Sequence, residues 1–485
     1  MFFCNTFART RGVLEYAGVY IQTHASLLCR YTMAVALGQN MQAVLNESGG
    51  LWIFGAAIRS RLDLPTEGPA CLGGTPPPGT ALPAGERPFA GEGVVMVSAV
   101  FDFACCVTDS GAVWVCGRND RGQLGLSLRV TGEQRVFRKW DATACGGASI
   151  AAVSCGYDFL LALTRTGEVW SCGAGDCGQL GHGTLDYNPI LTRVAVLENI
   201  AMVVADMDTS AAVDTDGRVW IWGRQRVSCE VRGWGYFPTP QRMGLAAFGG
   251  HKAVLVAVGP LHHAVVTEHG GLWTWGSGTN GQLGHDDNEH QMTPVRVVSG
   301  LQDSRVWMVS CGGRHTLVVT EDGCVFGMGS SAEGCICADE KGEFWVPTRI
   351  DKNFFGGARI VSVTAGGSCS TAVSEHGCMY WWGCDVLGLE EPGTGARHAC
   401  ARVAATCLPG GRVGRAKRLA SDHILAVGMG AHNRLGAAHT MPGFASDEIV
   451  HKIVRSCTVP HDGYRALSEG MRRLVVAEPA GGGVF

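Results

Sequence analysis

Charge is scarce in this sequence, and so are long apolar runs. Asp, Glu, Lys and Arg together make up 17% of the 485 residues, and the formal net charge is -4. A broad nucleic-acid surface needs an excess of Lys and Arg to neutralise phosphates, so this balance argues against a nucleic-acid partner. No run of about 18 apolar residues occurs, and no membrane-spanning helix is therefore predicted.

Motifs of nucleotide binding and hydrolysis are also lacking. The sequence contains no GxxxxGK[ST] phosphate loop, no HExxH and no GxSxG. Gly173 to Gly178 and Gly276 to Gly281 match GxGxxG, but neither is followed by the helical pattern that a dinucleotide site requires. We therefore expect no cofactor, and the sequence favours a protein that is not an enzyme.

The cysteines form no framework of paired CxxC spacings. There are 21 of them, and several lie in apolar segments, such as Cys105, Cys106, Cys116 and Cys172. This distribution is typical of small buried residues in a reducing compartment. Structural zinc sites usually place cysteines in closely spaced pairs, so no metal site is expected.

Glycine is abundant, with 70 residues, and much of it recurs in one phrase. Gly, five residues and Gly, with an aromatic three places after the first Gly, occurs seven times at steps of 50 to 62 residues. Glycine accepts positive φ in tight turns, and alternating apolar residues flank it, so each copy predicts a β-hairpin. The aromatics are Trp52, Trp114, Trp170, Trp220, Trp273, Phe326 and Tyr380. We expect the five tryptophans to be mostly buried between neighbouring hairpins.

A second phrase precedes the hairpins and places polar residues at fixed repeat positions. One position holds aspartate in four copies, and the next holds histidine in three. They are Asp102, Asp158, Asp208 and Asp422, followed by His262, His315 and His423. Equal positions of a closed array lie on one ring, so we expect these residues to share a partner-binding face. The alternative is that they satisfy backbone donors within their own turns.

The order of these phrases resembles the regulator of chromosome condensation repeat. The clearest copy is Leu272-Trp273-Thr274-Trp275-Gly276 running into Asn280-Gly281-Gln282-Leu283-Gly284-His285. The resemblance covers about residues 32–436 and implies an all-β fold, a seven-bladed β-propeller. Closure of such a ring hides the strand edges that isolated hairpins would expose.

The chain is expected to divide into three parts. Residues 1–30 supply either a closing strand or a targeting sequence, residues 31–440 form the propeller with a Pro- and Gly-rich loop at 65–93, and residues 441–485 form a C-terminal extension. Residues 419–427 repeat the second phrase and are expected to close the ring. Because this is an eighth copy of the phrase, a ring of eight blades is the alternative to a ring of seven. The expected location is intracellular, cytoplasmic or nuclear, with a mitochondrial presequence as the alternative.

The resemblance also suggests an exchange factor. In the founding member of the family, one propeller face holds the small GTPase Ran, and a β-wedge precedes the blade with an important aspartate. Here the matching aspartate is Asp158, and the candidate wedge is the segment 127–138, with Arg129, Arg135 and Arg138. An ordinary outer blade hairpin is the alternative for this segment. Two functions remain: a non-catalytic interaction propeller, or a guanine-nucleotide exchange factor for a Ran-like small GTPase.

Overall fold

The computed structural model shows a protein made of antiparallel β-sheets. It describes residues 35–37, 42–45, 51–54, 70–71, 89, 92–100, 103–126, 130, 132–141, 143–226, 233–301, 304–332, 334–336, 342–367, 369–375, 379–383 and 401–403. In these residues the strands form seven sheets of four strands each, and the only helices are three short 3-10 turns. The all-β prediction is confirmed.

The strands within each sheet follow the order of the chain, and we number the sheets one to seven. Sheet one contains β1 (Val35–Leu37), β2 (Gln42–Leu45), β3 (Leu51–Phe54) and β4 (Ala70–Cys71). Sheet two contains β5 (Val94–Val100), β6 (Phe103–Thr108), β7 (Val113–Gly117) and β8 (Gln134–Lys139). Sheet three contains β9 (Ile150–Cys155), β10 (Phe159–Thr164), β11 (Val169–Gly173) and β12 (Asn188–Arg193). Sheet four contains β13 (Ile200–Asp206), β14 (Thr209–Asp214), β15 (Val219–Arg226) and β16 (Trp234–Met243).

The remaining sheets follow the same plan. Sheet five contains β17 (Ala253–Val258), β18 (His262–Thr267), β19 (Leu272–Gly276) and β20 (Gln291–Arg296). Sheet six contains β21 (Val306–Cys311), β22 (His315–Thr320), β23 (Val325–Ser330) and β24 (Glu343–Arg349). Sheet seven contains β25 (Ile360–Ala365), β26 (Cys369–Ser374), β27 (Met379–Gly383) and β28 (Ala401–Val403). The 3-10 turns, Ala144–Gly147, Leu245–Phe248 and Lys352–Phe355, precede sheets three, five and seven.

Successive sheets contact each other through their first strands. β1 lies beside β5, β5 beside β9, and so on to β21 beside β25. This arrangement places the first strands at the centre and the fourth strands at the rim, as in a propeller. Residues 419–427 and the rest of the predicted C-terminal extension lie outside the described residues, so ring closure and the number of blades stay predictions.

In sheets two to six the second strand forms the middle of the core. All six residues of β6, β10, β14, β18 and β22 are buried. Their apolar runs, for example Phe-Leu-Leu-Ala-Leu-Thr in β10, fit strands that are covered on both faces. Neighbouring sheets therefore pack face to face, and each sheet depends on its neighbours for the burial of its apolar side chains.

The repeated aromatics that the structure describes are mostly buried, as the sequence predicts, but four of them are not fully covered. Trp114, Trp170, Trp220 and Trp273 are only partly buried, although Phe326 and Tyr380 are buried, and the side chain of Trp52 lies outside the described residues. The residue two places further along the strand is fully covered instead. At this position stand Cys116, Cys172, Trp222, Trp275, Met328 and Trp382, each at most 3% exposed. Residues two apart point to the same face of a strand, and the second lies deeper between the sheets.

Three Gly-Gln-Leu-Gly segments each join one sheet to the next. The Gln179 side chain accepts a hydrogen bond from Cys177 N at 2.9 Å, which folds the segment back on itself. Its main-chain oxygen accepts two bonds from sheet four, from Ser210 Oγ and from Trp222 Nε1, each at 2.8 Å. The Gln282 main-chain oxygen likewise accepts from Thr316 Oγ1 in the next sheet at 2.8 Å. These buried bonds fix the register between neighbouring sheets.

Candidate functional site

The turns and loops at one end of the sheets form the candidate site. Because neighbouring strands are antiparallel, the turn between the first and second strands lies at the same end as the loop between the third and fourth. We call this end of the ring the loop face and the other end the opposite face. Asp158, Asp208 and the start of the predicted wedge segment all lie on the loop face.

The second glycine of the hairpin phrase positions Asp158. Gly173 has φ of 112°, and a Cβ there would lie 2.4 Å from the main-chain oxygen of Asp158. Only glycine permits this close approach. The same oxygen accepts a hydrogen bond from Ala174 N at 2.8 Å, which fixes the turn. The phrase that organises the sequence thus holds the candidate residue in place.

The Asp158 carboxylate faces the preceding sheet. It lies 3.5 Å from Arg118 Nη1 and accepts a hydrogen bond from Gln123 Nε2 at 3.4 Å. Its side chain is 14% exposed, so it is partly accessible, as a residue that touches a partner must be. Arg118 is more exposed, at 35%, and belongs to the loop that leads into the predicted wedge. Asp158 and Arg118 together offer a partner one acidic and one basic group.

Asp208 repeats this arrangement in sheet four. Its main-chain oxygen accepts from Arg224 N at 2.9 Å, and its carboxylate lies 3.5 Å from Arg224 Nη1. Burial raises the pKa of the Asp208 carboxyl, and the Arg224 guanidinium opposes this shift. The Arg224 guanidinium also stacks over the Trp234 ring, 4.5 Å from its centroid. The contacts with Asp208 and Trp234 hold this arginine in one orientation on the loop face.

The two described histidines of the predicted partner-binding face are not exposed. His262 and His315 are fully buried and lie between sheets rather than on the loop face. His262 Nε2 lies 2.6 Å from Thr316 Oγ1, and His315 Nε2 lies 3.0 Å from Ser370 Oγ. Both hydroxyl hydrogens are directed to main-chain oxygens of Gln282 and Cys335, so the imidazoles are the donors in these contacts. His262 and His315 therefore each form a hydrogen bond from one sheet to the next.

Burial keeps these imidazoles neutral. Desolvation lowers the pKa of His262 to about 3 and that of His315 to about 4. The same cause lowers the pKa of His263, which packs against Trp275, to about 3. A neutral imidazole with Nε2 protonated fits the hydrogen bonds described above. Protonation would place a charge in the core, which disfavours the folded state.

We expect acid to destabilise the protein partly through His315. Unfolded histidine binds a proton below about pH 6.5, whereas folded His315 does so only below pH 4. Between these values the unfolded state binds more protons, so the free energy of unfolding falls as the pH falls, by up to about 1.4 kcal/mol per pH unit for this group. Asp206 acts in the opposite direction, because burial raises its pKa to about 7.

Comparison with His315→Gln isolates this contribution, since Gln can still donate to Ser370. Urea unfolding at pH 7, 6 and 5 should show a steeper loss of stability in the wild type than in the variant. Equal pH dependence in the two proteins would contradict the neutral, buried assignment of His315.

The candidate wedge is an ordinary blade strand over its second half. Residues 134–139 form β8, the outer strand of sheet two, in which Arg138 pairs with Val115 of β7. Arg135 and Arg138 are exposed on this rim strand. Arg129 lies outside the described residues, so its role stays a prediction. Residues 134–138 thus belong to an outer blade strand, which completes the sheet.

A longer hairpin occurs in sheet four instead. In sheets two, three and five the third and fourth strands stop pairing at the second glycine of the phrase. In sheet four the pairing continues beyond Gly223, through Arg224 with Tyr236, Gln225 with Gly235 and Arg226 with Trp234. Three further pairs add roughly 10 Å of ribbon. The Gly-Gln-Leu-Gly segment is missing after Gly223, which is the sequence signal for this extension.

Several predicted residues cannot be placed. Asp102, Asp422 and His423 lie outside the described residues, and their membership of a partner-binding face stays a prediction. Among the described members of the predicted set, the structure brings only Asp158 and Asp208 to the loop face. Four residues that surround these aspartates were not predicted from the sequence: Arg118, Arg224, Trp234 and Tyr236.

Comparison with known proteins identifies the repeats. A family model described as the regulator of chromosome condensation (RCC1) repeat matches residues 166–213 and 269–319. A second model of the same description matches 94–123, 150–179, 253–282 and 309–335. The chain carries regulator of chromosome condensation repeats. The matched segments coincide with sheets two to six, where the hairpin phrases are most regular.

The sequence of the chain is similar to those of several proteins whose names describe different roles. The chain is 30% identical to the ultraviolet-B receptor UVR8 of Arabidopsis thaliana, over 61% of this chain and 66% of UVR8. It is 30% identical to the mitochondrial RCC1 domain-containing protein RUG3 of the same plant, over 57% of this chain and 62% of RUG3. It is 28% identical to the secretion-regulating guanine nucleotide exchange factor of Bos taurus, over 56% of this chain and 60% of that protein. The chain thus spans less than two thirds of the length of these relatives.

A solved structure agrees on the fold. Human WBSCR16 superposes with a TM-score of 0.57 at 22% identity, covering 70% of this chain and 86% of that chain. Such low identity supports the architecture alone. In the described part of the chain, no helix is long and apolar enough to cross a membrane.

Proposed function

We propose that the protein is a non-catalytic interaction propeller, a scaffold or regulatory subunit that binds another protein through its loop face. The observation that carries the proposal is the placement of exposed tyrosines. Tyr157, Tyr187 and Tyr236 are 38%, 60% and 52% exposed, and each lies in a turn, loop or strand end of the loop face. Exposed tyrosines clustered on one face are typical of protein interfaces.

Charged groups support the same surface. The turns of sheets three and four are joined, since Tyr157 N donates to Met207 O at 2.9 Å. This bond links Asp158 and Arg118 on one side to Asp208 and Arg224 on the other. A rigid patch of tyrosines, arginines and carboxylates therefore spans two sheets. Arginine and tyrosine on rigid backbone lose little entropy on binding, which favours affinity.

Affinity purification from the native cell, quantified by mass spectrometry, tests the proposal. We expect Tyr157→Ala/Tyr236→Ala to lose at least about tenfold of the partner that the wild type retains, a typical cost of removing interface tyrosines. Val196→Ala/Val298→Ala is the matched control, since these exposed valines lie in the connections on the opposite face. Equal retention by both double variants would contradict the proposed surface. An intracellular location is part of the proposal, because ten of the cysteines in the described residues are free thiols.

A guanine-nucleotide exchange factor for a Ran-like small GTPase is the second candidate. It is favoured by the partly exposed Asp158 on the loop face and by the similarity to the bovine exchange factor. Such a factor acts by binding the nucleotide-free GTPase better than the loaded one.

If a small GTPase is among the retained proteins, Asp158→Ala should slow nucleotide release at least about tenfold. Asp176→Ala provides a control, because Asp176 is an exposed aspartate on a neighbouring loop of the same face. Release as fast as in the wild type would exclude a role for Asp158 in exchange.

A further inference from the structure

Three side chains with metal-ligating atoms meet on the opposite face of sheet five. His251, Glu268 and His269 each offer one ligand atom, and these atoms lie within 4.8 Å of one another. The two imidazole rings are 4.9 Å apart between centroids at an angle of 86°. His269 is exposed and Glu268 is partly buried, so the cluster is open to solvent on one side.

The backbone holds the cluster in place. His251 follows the 3-10 turn Leu245–Phe248 and donates its N–H to Phe248 O at 3.2 Å. Glu268 N donates to Lys252 O at 2.9 Å, and Lys252 N donates to a Glu268 carboxylate oxygen at 3.2 Å. The carboxylate is therefore oriented by a main-chain bond, and both histidines adjoin this bonded pair in the chain. A hydrogen bond that orients a ligand is a regular feature of metal sites.

The blade architecture does not require these three residue types. The bond between Glu268 N and Lys252 O has counterparts between Arg165 N and Ser149 O in sheet three, and between Glu321 N and Arg305 O in sheet six. The corresponding trios are Ala148, Arg165 and Thr166 in sheet three, and Ser304, Glu321 and Asp322 in sheet six. Neither contains a histidine, and the counterpart in the sequence of sheet seven, Ala358, Glu375 and His376, contains only one. A pair of histidines is therefore not needed for the turn.

We propose that His251, Glu268 and His269 bind a divalent transition-metal ion of the Zn²⁺ class. Two imidazoles and one carboxylate are a ligand set that Zn²⁺ accepts, with a fourth position left for water or for a side chain of a partner. The bound ion joins the turn between β18 and β19 to the segment before β17. This site is independent of the loop face and of the function proposed for it.

Neighbouring cations limit the affinity of the site. Arg305 Nη2 donates to the main-chain oxygen of Glu268 at 3.2 Å, and its Nε lies 3.4 Å from Glu321. The Glu321 carboxylate thus compensates the positive charge of Arg305. The side chain of Lys252 extends from the residue next to His251 and packs over Gly217. A bound Zn²⁺ ion carries two positive charges, whereas Glu268 supplies only one negative charge. Water that reaches the ion beside the histidines therefore helps to stabilise the remaining charge.

Titration of the purified full chain with Zn²⁺ tests the proposal. The chain holds 16 histidines and 21 cysteines, so the informative quantity is the number of equivalents lost on mutation. We expect His251→Ala/His269→Ala to bind one equivalent less than the wild type, whereas the control His290→Ala retains it. Equal stoichiometry and affinity in the wild type and the double variant would overturn the proposal.

Glu268→Gln provides a variant that preserves the fold, because the amide oxygen can still accept from Lys252 N. We expect its Kd for Zn²⁺ at this site to rise at least about tenfold, which is the lower range for loss of a group that supports a metal site. An unchanged Kd in Glu268→Gln would overturn the proposal even if the double variant fails to fold.

Discussion

We expect Trp222→Ala to lower the free energy of unfolding by about 3–5 kcal/mol, the typical cost of truncating a buried aromatic. Trp222 is fully buried between sheets three and four. Its Nε1 donates to the main-chain oxygen of Gln179 at 2.8 Å, so the variant also loses a buried bond between the sheets. The urea midpoint, monitored by far-UV circular dichroism, measures the loss.

Trp220→Ala is the matched control on the same strand. Trp220 is only partly buried, and its Nε1 donates to Asp214 within its own sheet at 3.2 Å. We expect a loss of about 1–2 kcal/mol, within the usual range for a partly buried side chain. If Trp220→Ala cost as much as Trp222→Ala, the repeated aromatic itself would be the residue that holds the sheets together.

The second large effect is expected for Gly173→Ala. A Cβ at this position would lie 2.4 Å from Asp158 O and 2.7 Å from Phe159 Cα, and φ is 112°. The unfavourable backbone conformation costs about 1–3 kcal/mol. The clash with backbone adds about 1–3 kcal/mol, as overpacking does elsewhere in protein cores. Because the clash displaces the turn that holds Asp158, partner binding at the loop face should weaken as well.

Gly183→Ala separates the cost of the backbone conformation from the cost of the clash. Gly183 has φ of 88°, and the nearest atom to its added Cβ is Thr239 Cγ2 at 3.6 Å, an ordinary contact. Only the cost of the backbone conformation therefore applies to Gly183→Ala. Equilibrium urea unfolding should show a smaller loss in the free energy of unfolding than for Gly173→Ala. Equal losses would mean that the close approach of Gly173 to the Asp158 turn is unimportant for stability.

The fold could be predicted from the sequence because the repeated phrase encodes a local conformation. Each hairpin needs glycine at its turn, and the regular spacing reveals how the hairpins are arranged. Gly111, Gly167 and Gly217 have positive φ, as the turn prediction requires. The depth of burial was less predictable: the sequence marked Trp220, but Trp222 is the more deeply buried. Depth depends on the neighbouring sheet, which a local pattern does not describe.

The candidate site could be predicted only in part. Asp158 and Asp208 lie on the loop face because the turn that carries them is fixed by local chemistry. His262 and His315 occupy the next position in the phrase, which turns inward and bonds to the following sheet. A shift of one residue along a strand reverses the direction of the side chain. The long hairpin of sheet four and the cluster of His251, Glu268 and His269 depend on departures from the repeat.

Hydrogen–deuterium exchange of the protein, alone and with its purified partner, tests the central claim most directly. We expect the partner to slow exchange at Tyr157 and Asp158 and along the paired segments 224–226 and 234–236. The connections on the opposite face, such as the one containing Val298, should exchange at the same rate in both samples. Protection confined to the opposite face, or no protection at all at the loop face, would contradict the account.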